Sequence, residues 1–220
     1  MLRIDADAHV LETEKTWEYM EGDDRKFRPQ VVISTDRSPH DEYWLVDGTL
    51  RLKSRNVGKN TPMESRELRD PSARLKHMDE LGVDVQVIFP TMFIIPLTAR
   101  PEIELALCRS YNRWMADIWK QAKERLRWAA VLPLFTMDRV FEEAKLAKEN
   151  GACGIFLRGS ECEKLLSDSY FFRSTTPSAV WICRFVYTRA PEALVCTIIF
   201  AMKPSVFQNS NWSSSARSTT

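Results

Sequence analysis

The sequence has few of the residues that small proteins use for cross-links and metal ligation. It contains three histidines and five cysteines, and no two cysteines form a C-x-x-C pair. An odd number of cysteines without such a pair excludes a paired-cysteine zinc knuckle and predicts no disulfide framework. The net charge of +1 lacks the basic excess of nucleic-acid-binding and anionic-membrane-binding proteins.

Long apolar runs are also missing. The longest, Ala193 to Met202, is about half of the roughly 20 residues that a membrane-spanning helix needs. Charged residues follow Met1 almost at once, so the pattern predicts no signal peptide. We expect a cytoplasmic protein with a small-molecule substrate and with neither nucleic acid nor membrane as a partner.

Glycine and acidic residues are scarce at one end of the chain. All seven glycines lie between Gly22 and Gly159. From Ser169 to Thr220 the only acidic residue is Glu192. The last part of the chain therefore differs in composition from the rest.

The first 172 residues show an alternation of helical and strand patterns. After the first strand, residues 11–69 form a polar excursion with a hairpin predicted around Tyr43–Leu52. Strands are predicted over residues 2–8, 83–89, 128–134 and 153–157, and helices over 71–81, 101–127 and 138–150. This order predicts right-handed βαβ units on a parallel sheet of four strands.

The first of these helices has clear end signals. Asp70 is a good N-cap, Pro71 suits the first turn, and Gly82 ends the helix. Its apolar positions predict one narrow buried face formed by Leu75, Met78 and Leu81.

In parallel α/β folds the functional groups gather at the carboxyl ends of the strands. Asp7 and His9 stand two residues apart on the first strand, so both side chains leave the same face. A carboxylate and an imidazole placed in this way make half of a divalent-metal site. Taken alone, the same pair is more often a solvated turn or a capping arrangement.

Several segments resemble one enzyme family. Ile4 to Glu12 (I-D-A-D-A-H-V-L-E) and Pro71 to Thr91 (P-S-A-R-L-K-H-M-D-E-L-G-V-D-V-Q-V-I-F-P-T) are similar to the amidohydrolase-related family, which includes aminocarboxymuconate-semialdehyde decarboxylase. S-Y-N-R-W, A-V-L-P-L, G-A-C-G-I-F-L-R-G and L-S-D-S-Y-F-F continue the resemblance in order, and it covers Leu2 to Phe172.

The resemblance implies a (β/α)8 barrel that holds one divalent metal, commonly zinc. Asp7 and His9 then occupy the two ligand positions of strand one, although many relatives have histidine at the first of them. Arg158 is either a ligand for a substrate carboxylate or part of a structural ion pair. Glu12 is either a residue that supports the metal ligands without binding the metal itself or an ordinary exposed residue. His77 is expected on a helix surface or in packing, and His40 has no partner that the sequence identifies.

The implied activity is hydrolysis of a carbonyl-type substrate by metal-activated water. The alternative is non-oxidative decarboxylation of an aromatic or unsaturated carboxylic acid, which uses the same barrel and metal. The family's third and fourth ligands belong to strands that this sequence does not show. The alternative to both enzyme activities is therefore that the chain is a non-catalytic fragment.

The resemblance stops after Phe172. In a shifted reading frame, each codon combines the third base of one original codon with the first two bases of the next. In that frame the gene segment for residues 173–190 can encode P-L-Y-D-A-E-R-R-L-D-L-P-I-C-V-H-T-G, which continues the family pattern. We predict that residues 173–220 are out-of-frame sequence. The fold prediction is thus α/β, an incomplete TIM-type (β/α)8 barrel of about four βα units plus an atypical tail. Its open strand edges could support aggregation or a homo-oligomer.

Overall fold

The computed structural model describes residues 2–35, 41–53, 61–165, 168–172, 184–190 and 193–199. Within these ranges no helix combines the length and the apolar character needed to cross a membrane. The main elements in chain order are β1 (Ile4–Val10), β2 (Gln30–Ile33), β3 (Glu42–Val46), β4 (Thr49–Leu52), α1 (Met63–Glu67), α2 (Pro71–Leu81), β5 (Val85–Pro90), α3 (Pro101–Ala122), β6 (Leu126–Ala130), α4 (Met137–Glu149), β7 (Ala152–Arg158), β8 (Ser160–Glu161), β9 (Lys164–Leu165), β10 (Arg184–Ala190) and β11 (Ala193–Ile199).

The central sheet has the strand order β1-β5-β6-β7-β11-β10. Its first four strands are parallel neighbours in chain order, and α2, α3 and α4 lie between them in sequence. Parallel strands that keep chain order form the wall of a barrel, whereas doubly wound sheets reverse their order at a switch point. The predicted α/β fold with a parallel sheet of four strands is confirmed, with a helix after each of the first three strands.

Helix α2 begins and ends where the sequence predicts, but its buried face differs. The Asp70 carboxylate accepts a hydrogen bond from the backbone N–H of Ser72 at 2.9 Å, and Gly82 adopts a left-handed φ of 66°. The prediction that Leu81 is buried was wrong, because it is 57% exposed. Arg74 is buried on this helix together with Pro71 and Met78. A guanidinium can occupy this face because Gln86 and the carbonyls of Ser65 and His9 accept hydrogen bonds from it.

The described part of the polar excursion, residues 11–35, 41–53 and 61–69, contains regular elements and packs on the core. It contains 3₁₀ helices over Glu14–Tyr19 and Gly22–Phe27 and the antiparallel sheet β2-β3-β4. Trp17 and Trp44 are buried in an edge-to-face contact with ring centroids 6.1 Å apart. The hairpin predicted around Tyr43–Leu52 is present as β3 and β4.

Strand β6 lies earlier than the apolar pattern predicts, over residues 126–130 instead of 128–134. The buried Asn112 side chain of α3 explains where the strand stops. Its Nδ2 donates to the Val131 carbonyl at 2.8 Å, and its Oδ1 accepts from the Val131 N–H at 3.1 Å. Both backbone groups of Val131 are therefore used by a side chain and not by a neighbouring strand.

The described part of the tail forms two strands. β10 and β11 pair as an antiparallel hairpin, and β11 pairs antiparallel with β7. The tail thus covers the β7 edge, and β1 and β10 are the two outer strands of the sheet. Residues 173–183, 191–192 and 200–220 lie outside the described residues, so the out-of-frame origin of the tail stays a prediction.

Candidate active site at the carboxyl edge of the sheet

Strand β1 carries the carboxylate and imidazole that the sequence singles out. Asp7 Oδ1 and His9 Nε2 lie 3.7 Å apart, which agrees with the predicted common face. The Asp7 side chain is 68% exposed, whereas that of His9 is 22% exposed. One partner is therefore open to solvent and the other is anchored in the protein.

His9 is largely buried and packs against an aromatic ring, with the charges of Asp7, Asp5 and Arg74 nearby. Its ring lies 6.0 Å from the ring of Phe89, and its buried Nδ1 makes no hydrogen bond to the described residues. Burial lowers the pKa of His9 below 6.5, and the nearby Asp7 carboxylate offsets this only in part. The imidazole is therefore neutral at pH 7, which is the form that binds a metal or accepts a proton.

Glu12 is buried, so the exposed alternative is excluded. Its side chain accepts hydrogen bonds from the backbone N–H groups of Thr91 at 3.1 Å and Met92 at 3.0 Å. Burial raises its pKa to about 8, although these two donors oppose the shift. Glu12 ties the end of β1 to the turn that follows β5.

A cavity of about 830 Å³ opens at the carboxyl ends of β5, β6 and β7. Its lining is mainly apolar, and it includes Arg158, Glu104 and Glu161. Neither Asp7 nor His9 lines this cavity. The two places are linked by packed rings, because Phe89 touches His9 on one side and Phe156 of the cavity wall on the other, with centroids 6.3 Å apart.

Arg158 is already engaged within the protein. Its Nη2 pairs with a Glu161 carboxylate oxygen, and its Nη1 donates to the Phe93 carbonyl at 2.8 Å. Glu161 also accepts from the backbone N–H of Arg158 at 2.7 Å. The ion pair that the sequence left as one alternative is thus present. The substrate-binding role of Arg158 stays a prediction.

Glu104 is a cavity residue that sequence reasoning missed. It lies in the first turn of α3, and its Oε2 accepts from the Phe135 N–H at 2.7 Å. Burial raises its pKa to about 7, and the charge of Glu161 acts in the same direction. An acid that titrates near neutral pH inside a cavity is suited to proton transfer. An acidic residue in a first helical turn is so common that the sequence carried no signal for this role.

The described residues fit half of a metal site. Asp7 and His9 converge as two ligands would, but no group of three or more His, Cys, Asp or Glu side chains in the described ranges could hold a metal ion. His77 Nδ1 lies 3.4 Å from Ser65 Oγ, which agrees with a packing role. His40 lies outside the described residues.

Comparisons with known proteins identify the fold. No protein-family profile matches the chain, and no curated protein matches it. An amidohydrolase from Mycobacterium avium subsp. paratuberculosis K-10 is similar in structure, with a TM-score of 0.52 and 17% identity, covering 69% of this chain and 47% of its own. IDCase of Metarhizium anisopliae in its apo form is similar with a TM-score of 0.53 and 14% identity, covering 78% of this chain and 46% of its own.

This chain therefore spans about half the length of either structure. At such low identity the likeness shows the fold, which is an α/β arrangement consistent with part of a TIM-type barrel. Both similar structures are of the amidohydrolase type that the sequence motifs resemble.

Proposed function

We propose that residues 2–172 form the N-terminal part of a metal-dependent hydrolase of the amidohydrolase type. The observation that carries the proposal is the convergence of the Asp7 carboxylate and the His9 imidazole on one face of β1, 3.7 Å apart. In this proposal they supply the two strand-one ligands of a divalent metal, with zinc as the expected ion. A bound metal of this kind supplies a Lewis acid and an activated water.

The cavity lies on the other side of the Phe89 ring from this pair and provides the place for a substrate in this proposal. Its lining is mainly apolar, and Glu104 on its wall can hold or release a proton near pH 7. Arg158 can orient a substrate carboxylate in two ways, either while it stays paired with Glu161 or by exchanging Glu161 for the substrate. These groups act on the substrate, whereas Glu12 acts by holding the turn after β5.

Decarboxylation is the second candidate activity. The similar structure of the decarboxylase IDCase supports it. When the bond between a carbon and its carboxylate breaks, the electron pair left on carbon must take up a proton. Glu104, which stays protonated up to about pH 7, is placed to donate one from the cavity wall.

We further propose that the chain as written has impaired activity. The described residues supply two ligand positions and not a full coordination set. In this proposal residues 173–220 are out-of-frame sequence, and the family's third ligand lies in the sequence that the restored frame would encode. Sequencing the gene across codon 172 tests the frame directly. An uninterrupted frame there, with no shifted reading in related genes, would refute it.

Metal binding tests the assignment of the ligands. We expect the purified chain to bind zinc weakly at one site, and the variants Asp7→Asn and His9→Gln each to bind it at least about tenfold more weakly. Asp23→Asn and His77→Gln remove the same chemical groups elsewhere and serve as controls. Isothermal titration together with elemental analysis measures both affinity and stoichiometry.

Unchanged zinc affinity in the double variant Asp7→Asn/His9→Gln would contradict the proposed site. With the frame restored, parallel assays for ester or amide hydrolysis and for carbon dioxide release distinguish the two activities. Release of carbon dioxide without hydrolysis would replace the first candidate by the second.

A further inference from the structure

Strand β1 contains a β-bulge at the proposed ligand positions. Asp5 is paired with Gln86, but the next pair along the two strands is Ala8 with Ile88. Three steps along β1 therefore match two steps along β5. Bulges of this kind redirect side chains and are frequent beside active sites.

The bulge leaves the Asp7 N–H outside the regular ladder, and the Asp5 carboxylate accepts it. Asp5 Oδ1 lies 3.1 Å from the Asp7 nitrogen. The other oxygen, Oδ2, accepts from Gln86 Nε2 at 2.9 Å. The conformation of the bulge is thus fixed by a side chain that is itself held from β5.

Arg74 of α2 connects this chain of hydrogen bonds to the other side of the bulge. Its Nε donates to Gln86 Oε1 at 2.7 Å, and its Nη2 donates to the His9 carbonyl at 3.2 Å. Its Nη1 donates to the Ser65 carbonyl at 3.0 Å. One guanidinium therefore reaches the backbone of His9 directly and that of Asp7 through Gln86 and Asp5.

The two central side chains of the network are buried, whereas the bond between Asp5 and the Asp7 amide is exposed. Arg74 and Gln86 are each 4% exposed. A buried guanidinium is tolerated only when its donors are matched, and its planar fork fixes the directions of several hydrogen bonds at once. A lysine has a single ammonium on a flexible stem and cannot reproduce three separate directions.

We infer that Arg74 is a positioning residue for the Asp7 and His9 pair. Its hydrogen bonds lock the bulge of β1 so that the two side chains converge at the carboxyl edge of the sheet. The inference rests on the proposed function in so far as the pair is taken to bind a metal. The effect on the backbone of β1 does not depend on that assumption.

The experiment has two arms, both on the full chain. Hydrogen–deuterium exchange of the metal-free protein measures the protection of the backbone over residues 4–10. Zinc titration measures the affinity of the pair. The variants are Arg74→Lys, Arg74→Met and Gln86→Leu, of which the last breaks only the branch through Asp5.

Arg109→Lys and Arg109→Met are the matched controls. Arg109 also joins two elements, since its Nε donates to the buried Glu143 of α4 at 3.1 Å, and it belongs to neither proposed site. These controls report the effect of a destabilised helix contact without a change at the bulge.

We expect both Arg74 variants to exchange about tenfold faster over residues 4–10 and to bind zinc about 10–100-fold more weakly, as is typical when the partner of a metal ligand is lost. In Gln86→Leu the Asp7 amide should exchange faster, while the His9 contact is retained. The Arg109 variants should leave both readouts at β1 unchanged after correction for global stability.

Two results would overturn the inference. One is unchanged exchange over residues 4–10 in the Arg74 variants, whether or not zinc binds. The other is an increase that is uniform along the chain and equal to that of the Arg109 controls, because this would mark a general loss of stability. A wild-type chain that binds no zinc overturns the proposed function, and the exchange arm then still decides the role of Arg74.

Discussion

The buried Glu12 predicts an unusual dependence of stability on pH. Its pKa is raised from 4.5 to about 8 by burial, so the folded protein keeps the Glu12 proton over a range in which the unfolded chain has lost it. Stability therefore falls as pH rises through this range. Each pH unit removes about 1.4 kcal/mol, and the whole range removes on the order of 5 kcal/mol.

The variant Glu12→Gln separates this effect from other titrations. Glutamine can accept one of the two hydrogen bonds from Thr91 and Met92, but it places an NH₂ group against the other donor. We expect a loss of about 1–3 kcal/mol in the free energy of unfolding at pH 4.5, where wild type has its full stability. At pH 8 the order reverses, and the variant should be the more stable protein by about 1–3 kcal/mol. The two curves should cross between about pH 5 and 7.

Urea-induced unfolding followed by tryptophan fluorescence at half-unit steps of pH gives both curves. Glu14→Gln removes an exposed carboxylate two residues away and should follow the wild-type curve in parallel. A difference between Glu12→Gln and wild type that stays constant from pH 4.5 to 8 would refute the reasoning. In that case Glu12 would not be a neutral acid in the folded protein.

Two further substitutions test the packing that positions the site. Asn112→Leu leaves the N–H and C=O of Val131 unpaired in the core and should lower the free energy of unfolding by about 3–5 kcal/mol, measured by urea denaturation; a loss below about 1 kcal/mol would show that the strand end does not need this side chain. Gly151→Ala places a methyl group 2.3 Å from the Trp119 ring at a φ of +90°, whereas Gly48→Ala meets no atom within 4 Å at a φ of +75°. We expect the first to cost about 1–3 kcal/mol more than the second in thermal unfolding, and equal losses would contradict the contact.

The sequence predicted the features whose causes are local. Asp70 and Gly82 mark the ends of α2 because a cap and a left-handed residue need only their immediate neighbours. Asp7 and His9 share a face because residues two apart in an extended strand do so, and the bulge did not disturb this.

Features that depend on distant partners were not predictable. The end of β6 depends on Asn112, which lies 19 residues before Val131. The burial of Arg74 in place of Leu81 depends on the carbonyl of His9, which is 65 residues away. The acidity of Glu104 depends on the Phe135 N–H and on the cavity that both residues border. A pattern of apolar positions contains none of these pairings.

The carboxyl edge of the sheet shows one physical solution used after three successive strands. The turns after β5 and β6 and the end of β7 each donate one or two backbone N–H groups to a glutamate that is buried (Glu12, Glu161) or half-buried (Glu104). Backbone groups that leave a sheet need such partners, and the two oxygens of a carboxyl group meet the need at a single side chain. Burial raises the pKa of all three acids, so each contributes stability below pH 4.5 and loses it as pH rises towards its folded pKa.

The consequence is local as well as global. Since the three glutamates hold the turns and the strand end at this edge, alkaline pH should loosen these segments before it loosens α3 and α4, and exchange at Thr91, Met92 and Phe135 should rise first. Acids that titrate near neutral pH are also those that can transfer protons. Of the three, Glu104 lines the cavity and has a folded pKa of about 7, so this one acid both holds the edge at low pH and is the group that the proposed chemistry could use. The stability of the edge and that chemistry are coupled through the proton of Glu104.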